Sequence, residues 1–266
     1  MTIVETPIRP LVADRRAVQA GVHLVARSYK KGMRLAPHMH REAQLVYAAS
    51  GTMQVTTPKG RWLVPPDRAV WVPAHHAHAI DMLSDSEMRT IFFDGDLLQG
   101  HMRKPRLSKE FVVLVSPLLH HAILALFEDR KDRERADLLV RLAMLELRRT
   151  EDSATFIPLP QEPRSRRAAD IVLATPAMTH EIETLARKVG TSARTLSRLF
   201  AAETKLSFKA WCRRARIATA IERLSTERHL SVKALASDLG YASMPAFSHA
   251  FRQVTGKSPT DFVRRL

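Results

Sequence analysis

Nine of the twelve histidines in this 266-residue chain fall within its first 121 residues. Imidazole can ligate a transition metal and can exchange a proton near neutral pH. His38 and His40 stand two apart, so on an extended strand both side chains project to one face. Joined by His78 from a neighbouring strand inside a barrel, they would offer three imidazole nitrogens, a set suited to nickel, zinc, iron or copper. The same side chains could instead line a pocket for an organic ligand, or lie on the surface. His75 and His76 are further donors, but adjacent residues on a strand point oppositely, so one of the two is expected to be exposed.

The elements that would position these histidines are short. From Gly21 to Phe93 the chain alternates β-type runs with Gly/Pro turns: 22–27, 44–47, 53–57, 61–64, 69–72, 78–83 and 88–93. Many short strands at close spacing predict an antiparallel sandwich, jelly roll or barrel. Phe111 to Phe127 carries no formal charge, but its 17 residues include Ser116, Pro117, His120 and His121, which favours a packed helix over a membrane span. Helical spacing continues through Leu138, Leu139, Leu142 and Leu145, with the charged tract Glu128–Asp137 expected as an exposed connection.

Charge divides the chain. Residues 1–163 hold 23 Lys/Arg against 19 Asp/Glu, whereas residues 164–266 hold 19 against 8. Thr150 to Pro163 is polar with three prolines and is expected to be a linker. A near-neutral first part and a strongly basic second part point to a polyanion as partner of the second. A single cysteine, Cys212, excludes an intrachain disulfide framework and fits a reducing compartment. Met1 to Leu11 has no basic stretch followed by an apolar run, so no secretory signal is read there and a cytoplasmic location is expected.

The basic part contains a repeat. Ala186-x3-Gly190-x-Ser192-x3-Leu196-x3-Phe200-x6-Ser207 recurs about fifty residues later as Ala236-x3-Gly240-x2-Ser243-x3-Phe247-x3-Phe251-x6-Ser258. In each copy a short helix ends at a glycine able to turn left-handed, and a serine caps the next helix. Two short helices across a tight glycine turn make a helix-turn-helix. Between the copies, Phe208, Trp211, Ala215, Ala218, Ile221 and Leu224 form the stripe of one helix about 27 Å long. Such a strut could hold two helices near one DNA turn apart, about 34 Å.

Leu196-Ser-Arg-Leu-Phe200, Ala215-Arg-Ile-Ala218, Ala236-x3-Gly-Tyr241 and Phe247-x3-Phe251-x4-Gly256-Lys-Ser-Pro259 resemble the AraC/XylS family of bacterial transcription regulators over about 100 residues. The resemblance implies that double-stranded DNA at a promoter or operator is a partner. It places Arg194, Thr195, Ser197 and Arg198 outward on the first reading helix, and Met244, Pro245, Ser248 and His249 on the second. Arg194 and Arg198 could each reach guanine O6 and N7 in a bidentate manner; the second set is poor in base-reading donors. Arg252 and Lys257 are then phosphate candidates. One departure is Lys205, which stands where the second copy has Gly256, at a helix exit that favours positive φ.

In the first part, Gly32-x5-His38-x-His40-x3-Gln44-x6-Gly51 resembles the first cupin motif with Gln44 in place of its usual Glu, and Pro73-x-His75-x2-His78 resembles the second with His75 in place of its usual Gly. The run Ala43–Tyr47, Gly51-x-Met-x-Val-Thr-Thr and Val64–Pro73 is also similar to a subgroup of AraC regulators, some members of which control efflux transporters.

The expected architecture is α+β and multidomain: a cupin-like effector-sensing barrel or jelly roll at 1–108, helices at 109–149 for dimerisation, a linker at 150–166, and an all-α double helix-turn-helix at 167–266. The expected function is a DNA-binding regulator sensing a small molecule or a metal ion through His38, His40, Gln44 and His78. The resemblance also admits RNA polymerase as a partner and a homodimer as the assembly, with no membrane partner. Two other readings remain open: a metal-dependent cupin enzyme of oxygenase or isomerase type joined to a DNA-binding module, and a nonspecific architectural DNA binder.

Overall fold

The computed structural model describes residues 16–19, 21–99, 107–128, 132–149, 155–227 and 230–264. The chain divides into two compact units, residues 1–57 with 64–153, and 58–63 with 154–266.

The strands of the first part run β1 (Arg16–Gln19), β2 (Val22–Tyr29), β3 (Arg34–His38), β4 (Ala43–Ser50), β5 (Met53–Thr57), β6 (Gly60–Val64), β7 (Arg68–Val72), β8 (His78–Met82), β9 (Ser86–Phe93) and β10 (Phe111–Leu114). One antiparallel sheet has the order β1-β2-β9-β4-β7-β10. A second sheet faces it with β5, β8 and β3. β4 is central, and six of its eight residues are buried. On one face Leu45 and Tyr47 join Val22, Leu24, Trp71 and Phe93 in a core closed by helices α2 (Pro117–Phe127) and α3 (Arg133–Arg149) through Leu119, Ile123, Val140 and Leu147. Burial of each such large side chain contributes about 1.5–3 kcal/mol. By the two-residue period, Gln44, Val46 and Ala48 turn to the other face of β4. A short helix α1 (Gly95–Gln99) follows β9.

Here the structure corrects several sequence expectations. Residues 111–114 are strand β10 paired with β7, not the start of a helix, and α2 begins at Pro117, capped by Ser116. The charged tract is helical from Arg133, inside α3. β1 and β3 lay outside the expected strands. Residues 156–158 of the expected linker form strand β11 (Phe156–Pro158), and helix α4 starts at Pro163; residues 150–154 lie outside the described residues.

In the second unit β11 pairs antiparallel with β6, setting Phe156 opposite Trp62 and Pro158 opposite Gly60. The Trp62 and Phe156 rings stack with centroids 3.7 Å apart. A Cβ at Gly60 would stand 2.0 Å from the Phe156 ring, so only glycine lets β11 close on β6. Helices α4 (Pro163–Ala174), α5 (Ile182–Lys188), α6 (Ala193–Thr204), α7 (Phe208–Thr226), α8 (Val232–Asp238), α9 (Met244–Thr255) and α10 (Pro259–Val263) complete it. Trp211 on α7 is fully buried and its indole N–H donates to Pro158 O at 2.6 Å. Burial pushes the nearby Cys212 thiol up to about 12, which leaves almost no thiolate at neutral pH.

The repeat is explicit in hydrogen bonds. Gly190 and Gly240 turn at φ 73° and 74°, and the next N–H reaches back across each turn, Thr191 to Ala186 O at 2.9 Å and Tyr241 to Ala236 O at 3.0 Å. Ser192 and Ser243 then accept from the Thr195 and Ala246 N–H groups. α7 is the 19-residue strut that the apolar stripe predicts. At the exits of α6 and α9, Lys205 and Gly256 occupy the same left-handed position, φ 59° and 76°. The Lys205 Cβ is strained there, so Lys205→Gly is expected to raise the stability to urea unfolding by about 0.5 kcal/mol net of the added chain entropy, with Gly256→Lys moving it the other way. No change in either variant would contradict the repeat-equivalence of the two exits.

Candidate functional site

β3 and β8 are antiparallel neighbours, and their register makes His38 and His78 direct partners after an irregularity between Leu35 and His38. His78 is 2% exposed, whereas His38 and His40 are half-buried. His40 lies two residues beyond the end of β3, so it is not the shared strand face that unites it with His38. A backbone tie does this instead: the His75 N–H donates to His40 O at 2.8 Å. His75 itself is exposed and left-handed at φ 60°, which is why the second motif's position suits glycine.

One nitrogen from each of His38, His40 and His78 lies within 4.8 Å of the others. Ring centroids are 4.3 Å apart for His38–His78, 4.9 Å for His38–His40 and 5.5 Å for His40–His78. Nδ1 of His38 lies 2.7 Å from Ala36 O, and Nδ1 of His78 lies 3.0 Å from His76 O. A carbonyl can only accept, so in the neutral form each ring keeps its proton on Nδ1 and leaves Nε2 as the lone pair. Backbone acceptors of this kind orient metal-binding imidazoles. Gln44 reaches the cluster from β4 through a short contact between its amide nitrogen and Nε2 of His78. Burial, with the neighbouring His38, His40 and His76, lowers the His78 pKa to about 4, so this imidazole is neutral at physiological pH. The four residues singled out in the sequence therefore meet at one place.

The second unit presents a different surface. On α6, Arg194, Ser197 and Arg198 are exposed, and neither arginine makes a hydrogen bond or ion pair among the described residues. Thr195 is half-buried and its hydroxyl accepts from Ser192 Oγ at 2.9 Å, so it serves the helix cap. On α9, Pro245, His249 and Arg252 are exposed, while Met244 and Ser248, and Lys257 just past its C-cap, are partly covered. The sequence reading missed Gln253: exposed on α9, its Nε2 lies 2.8 Å from His249 Nε2, and its amide adds a donor and an acceptor to that face. The i,i+4 spacing from His249 was the signal that could have found it.

Residues 22–148 match the model of the AraC-like ligand binding domain, and residues 185–265 match a helix-turn-helix domain model. The Salmonella typhimurium regulatory protein SoxS is 35% identical over 86 residues, 32% of this chain and 78% of SoxS. The chain belongs to the AraC family. The HTH-type transcriptional regulator NimR of Escherichia coli is similar over most of both proteins, 27% identical across 86% of this chain and 82% of NimR. A solved structure of ToxT from Vibrio cholerae aligns over 92% of this chain and 99% of its own, with 12% identity and a TM-score of 0.40. This AraC-family member is accordingly a transcriptional regulator with an N-terminal cupin-like ligand-binding domain and a C-terminal helix-turn-helix DNA-binding domain. Among its described residues no helix is long and apolar enough to cross a membrane.

His78 gives the regulator an acid-side signature. Unfolded, an imidazole takes its proton near pH 6.5; folded, His78 resists until about pH 4. Between those values the unfolded chain binds more protons, so stability falls as pH is lowered through the window, by up to about 3 kcal/mol. Urea unfolding of metal-free protein between pH 7 and 4 should show this loss, and His78→Gln should flatten it. Parallel curves for the two proteins would contradict the assignment.

Proposed function

We propose that this AraC-family regulator responds to a transition-metal ion held by His38, His40 and His78, and that it reads its operator chiefly through Arg194 and Arg198. The observation that carries the metal reading is the convergence of three imidazole nitrogens, two of them with Nδ1 committed to backbone carbonyls. The donor set fits nickel, zinc, iron or copper, and a bound ion would supply a fixed positive charge beside the neutral His78 ring. Gln44 is the uncharged neighbour at Nε2 of His78, and its amide would turn aside to yield that nitrogen to an ion. An organic effector ligating through such an ion, or hydrogen-bonding to the imidazoles alone, is the second outcome of the test. The regulators among its relatives and the neutral Gln44 favour sensing over turnover.

Coupling has a covalent route. His78 lies on β8, which pairs with β5; the chain then passes at 57/58 into the second unit, where β6 pairs with β11 and β11 accepts from Trp211 of α7. A ligand acts on DNA affinity only through its differential affinity for the two arrangements of the regulator. On α2 and α3, Leu118, Leu138 and Leu145 are exposed apolar side chains, which supports a homodimer formed through these helices.

The test is elemental analysis of tag-free protein with operator titrations at fixed salt. His38→Ala with His40→Ala should hold one equivalent of metal fewer than the wild type and lose the metal-dependent change in DNA affinity, about fivefold or more. Arg194→Ala with Arg198→Ala should lose the sequence-specific footprint, each arginine contributing about 1–3 kcal/mol of discrimination. Identical metal content and identical affinity with and without metal would overturn the sensor reading and turn the search to organic effectors.

A further inference from the structure

We propose that His23, Glu42 and Asp94 form a second divalent-cation site, at the end of the six-stranded sheet and separate from the three-histidine cluster. The placement follows from register. β2, β9 and β4 are neighbours, with Val22 opposite Phe93 and Phe93 opposite Ala43. Asp94 therefore leaves β9 where Glu42 enters β4, and the start of β2 lies alongside. The Asp94 N–H donates to Gly21 O at 2.8 Å, which fixes this end of the ladder. Gly21, at φ 76°, puts no side chain beside the carboxylate; a Cβ there would stand 3.8 Å from Asp94 Oδ2.

One ligand atom from each of the three side chains lies within 4.8 Å of the other two. In a coordination sphere with bonds of about 2.0–2.2 Å, adjacent ligand atoms stand roughly 3–3.5 Å apart, so small side-chain rotations complete the site. An independent observation points to a ligand: Nδ1 of His23 is buried and has no hydrogen-bond partner among the described residues. A buried imidazole nitrogen without a partner is costly unless something else satisfies it. We take this nitrogen as the ligand atom of His23, and a cation held with the two carboxylates satisfies it. All three residues are half-buried, so a cation can reach them from solvent.

The donor chemistry distinguishes this site from the cluster already described. Two carboxylates and one imidazole make a harder, doubly negative set, which suits manganese, ferrous iron or zinc and accepts manganese where an all-imidazole set holds it poorly. Phe92 separates the two sites: it is the strand partner of both His23 and Gln44, and its ring packs against His40 with centroids 5.1 Å apart.

The experiment uses the full chain with His38→Ala and His40→Ala, so that failure of the effector-site reading cannot be mistaken for failure of this one. Manganese(II) alone is the probe, titrated while the signal of the free ion is followed by electron paramagnetic resonance. About one equivalent is expected to bind, and pulsed spectra of the bound ion should show coupling to one imidazole nitrogen. Adding Glu42→Gln and Asp94→Asn should weaken binding at least tenfold with unchanged circular dichroism. His23→Gln should remove the nitrogen coupling, and it serves where the carboxamide pair does not fold. No binding by the parent, bound manganese without a nitrogen coupling, or equal binding by a folded carboxamide variant would each overturn the proposal.

Discussion

The exclusion of water from His78 is the constraint on which the effector domain depends. A buried imidazole is far more stable neutral than charged, and a neutral ring must place its one proton and its one lone pair deliberately. The His76 carbonyl accepts a hydrogen bond from Nδ1–H, which leaves Nε2 to face Gln44. Register follows from the same requirement: a slip of one residue in β8 would turn His78 out of the sandwich and separate it from His38. The neighbouring strands supply the low dielectric, since β4 and β7 present almost uninterrupted buried runs. The site is thus a polar exception that an apolar sandwich holds in place, and this is why its histidines meet although they lie forty residues apart in sequence.

The DNA-binding part was legible in the sequence because its determinants are local. Ser192, Ser243, Gly190 and Gly240 act within one helical turn of their own positions, and the structure puts each at the cap or left-handed turn that its spacing implied. The Trp211–Leu224 stripe likewise encodes α7 by itself. In the first part the central strands were legible for the same reason, as compact β-branched and aromatic runs. β3, β10 and β11 were not, because tertiary pairing decides them. Arg34–His38 contains Pro37 and little β-type sequence, yet β8 pairs with it. Phe111–Leu114 has a helical pattern downstream, and only the open edge of β7 recruits it as a strand. Phe156–Pro158 carries a proline and follows polar residues, and it is a strand because β6 and Trp211 offer it partners.

The candidate site shows the same division. The residue set His38, His40, Gln44 and His78 could be named from spacing, but the means of assembly could not. His40 sits beyond its strand and is held through a backbone bond from His75, whose left-handed conformation is masked in the sequence because His stands where the motif has Gly. His23, Glu42 and Asp94 carry no motif at all, since each belongs to a different strand end and only the ladder brings them together.

The placement of Pro58–Leu63 changes what two domains mean in this chain. A barrel followed by a linker would join the units once, and a polar linker transmits little strain. Here the chain crosses between units at 57/58, 63/64 and 153/154, and the excursion is anchored by Gly60, whose backbone lies against the Phe156 ring, and by the Trp62–Phe156 stack. Both anchors act within the second unit, and the Trp211 N–H extends them to α7. Residues 58–63, although they fall between stretches of the ligand-binding domain in sequence, are therefore a structural part of the second unit. The coupling proposed for this regulator therefore has a covalent path through these six residues besides the one through the expected linker.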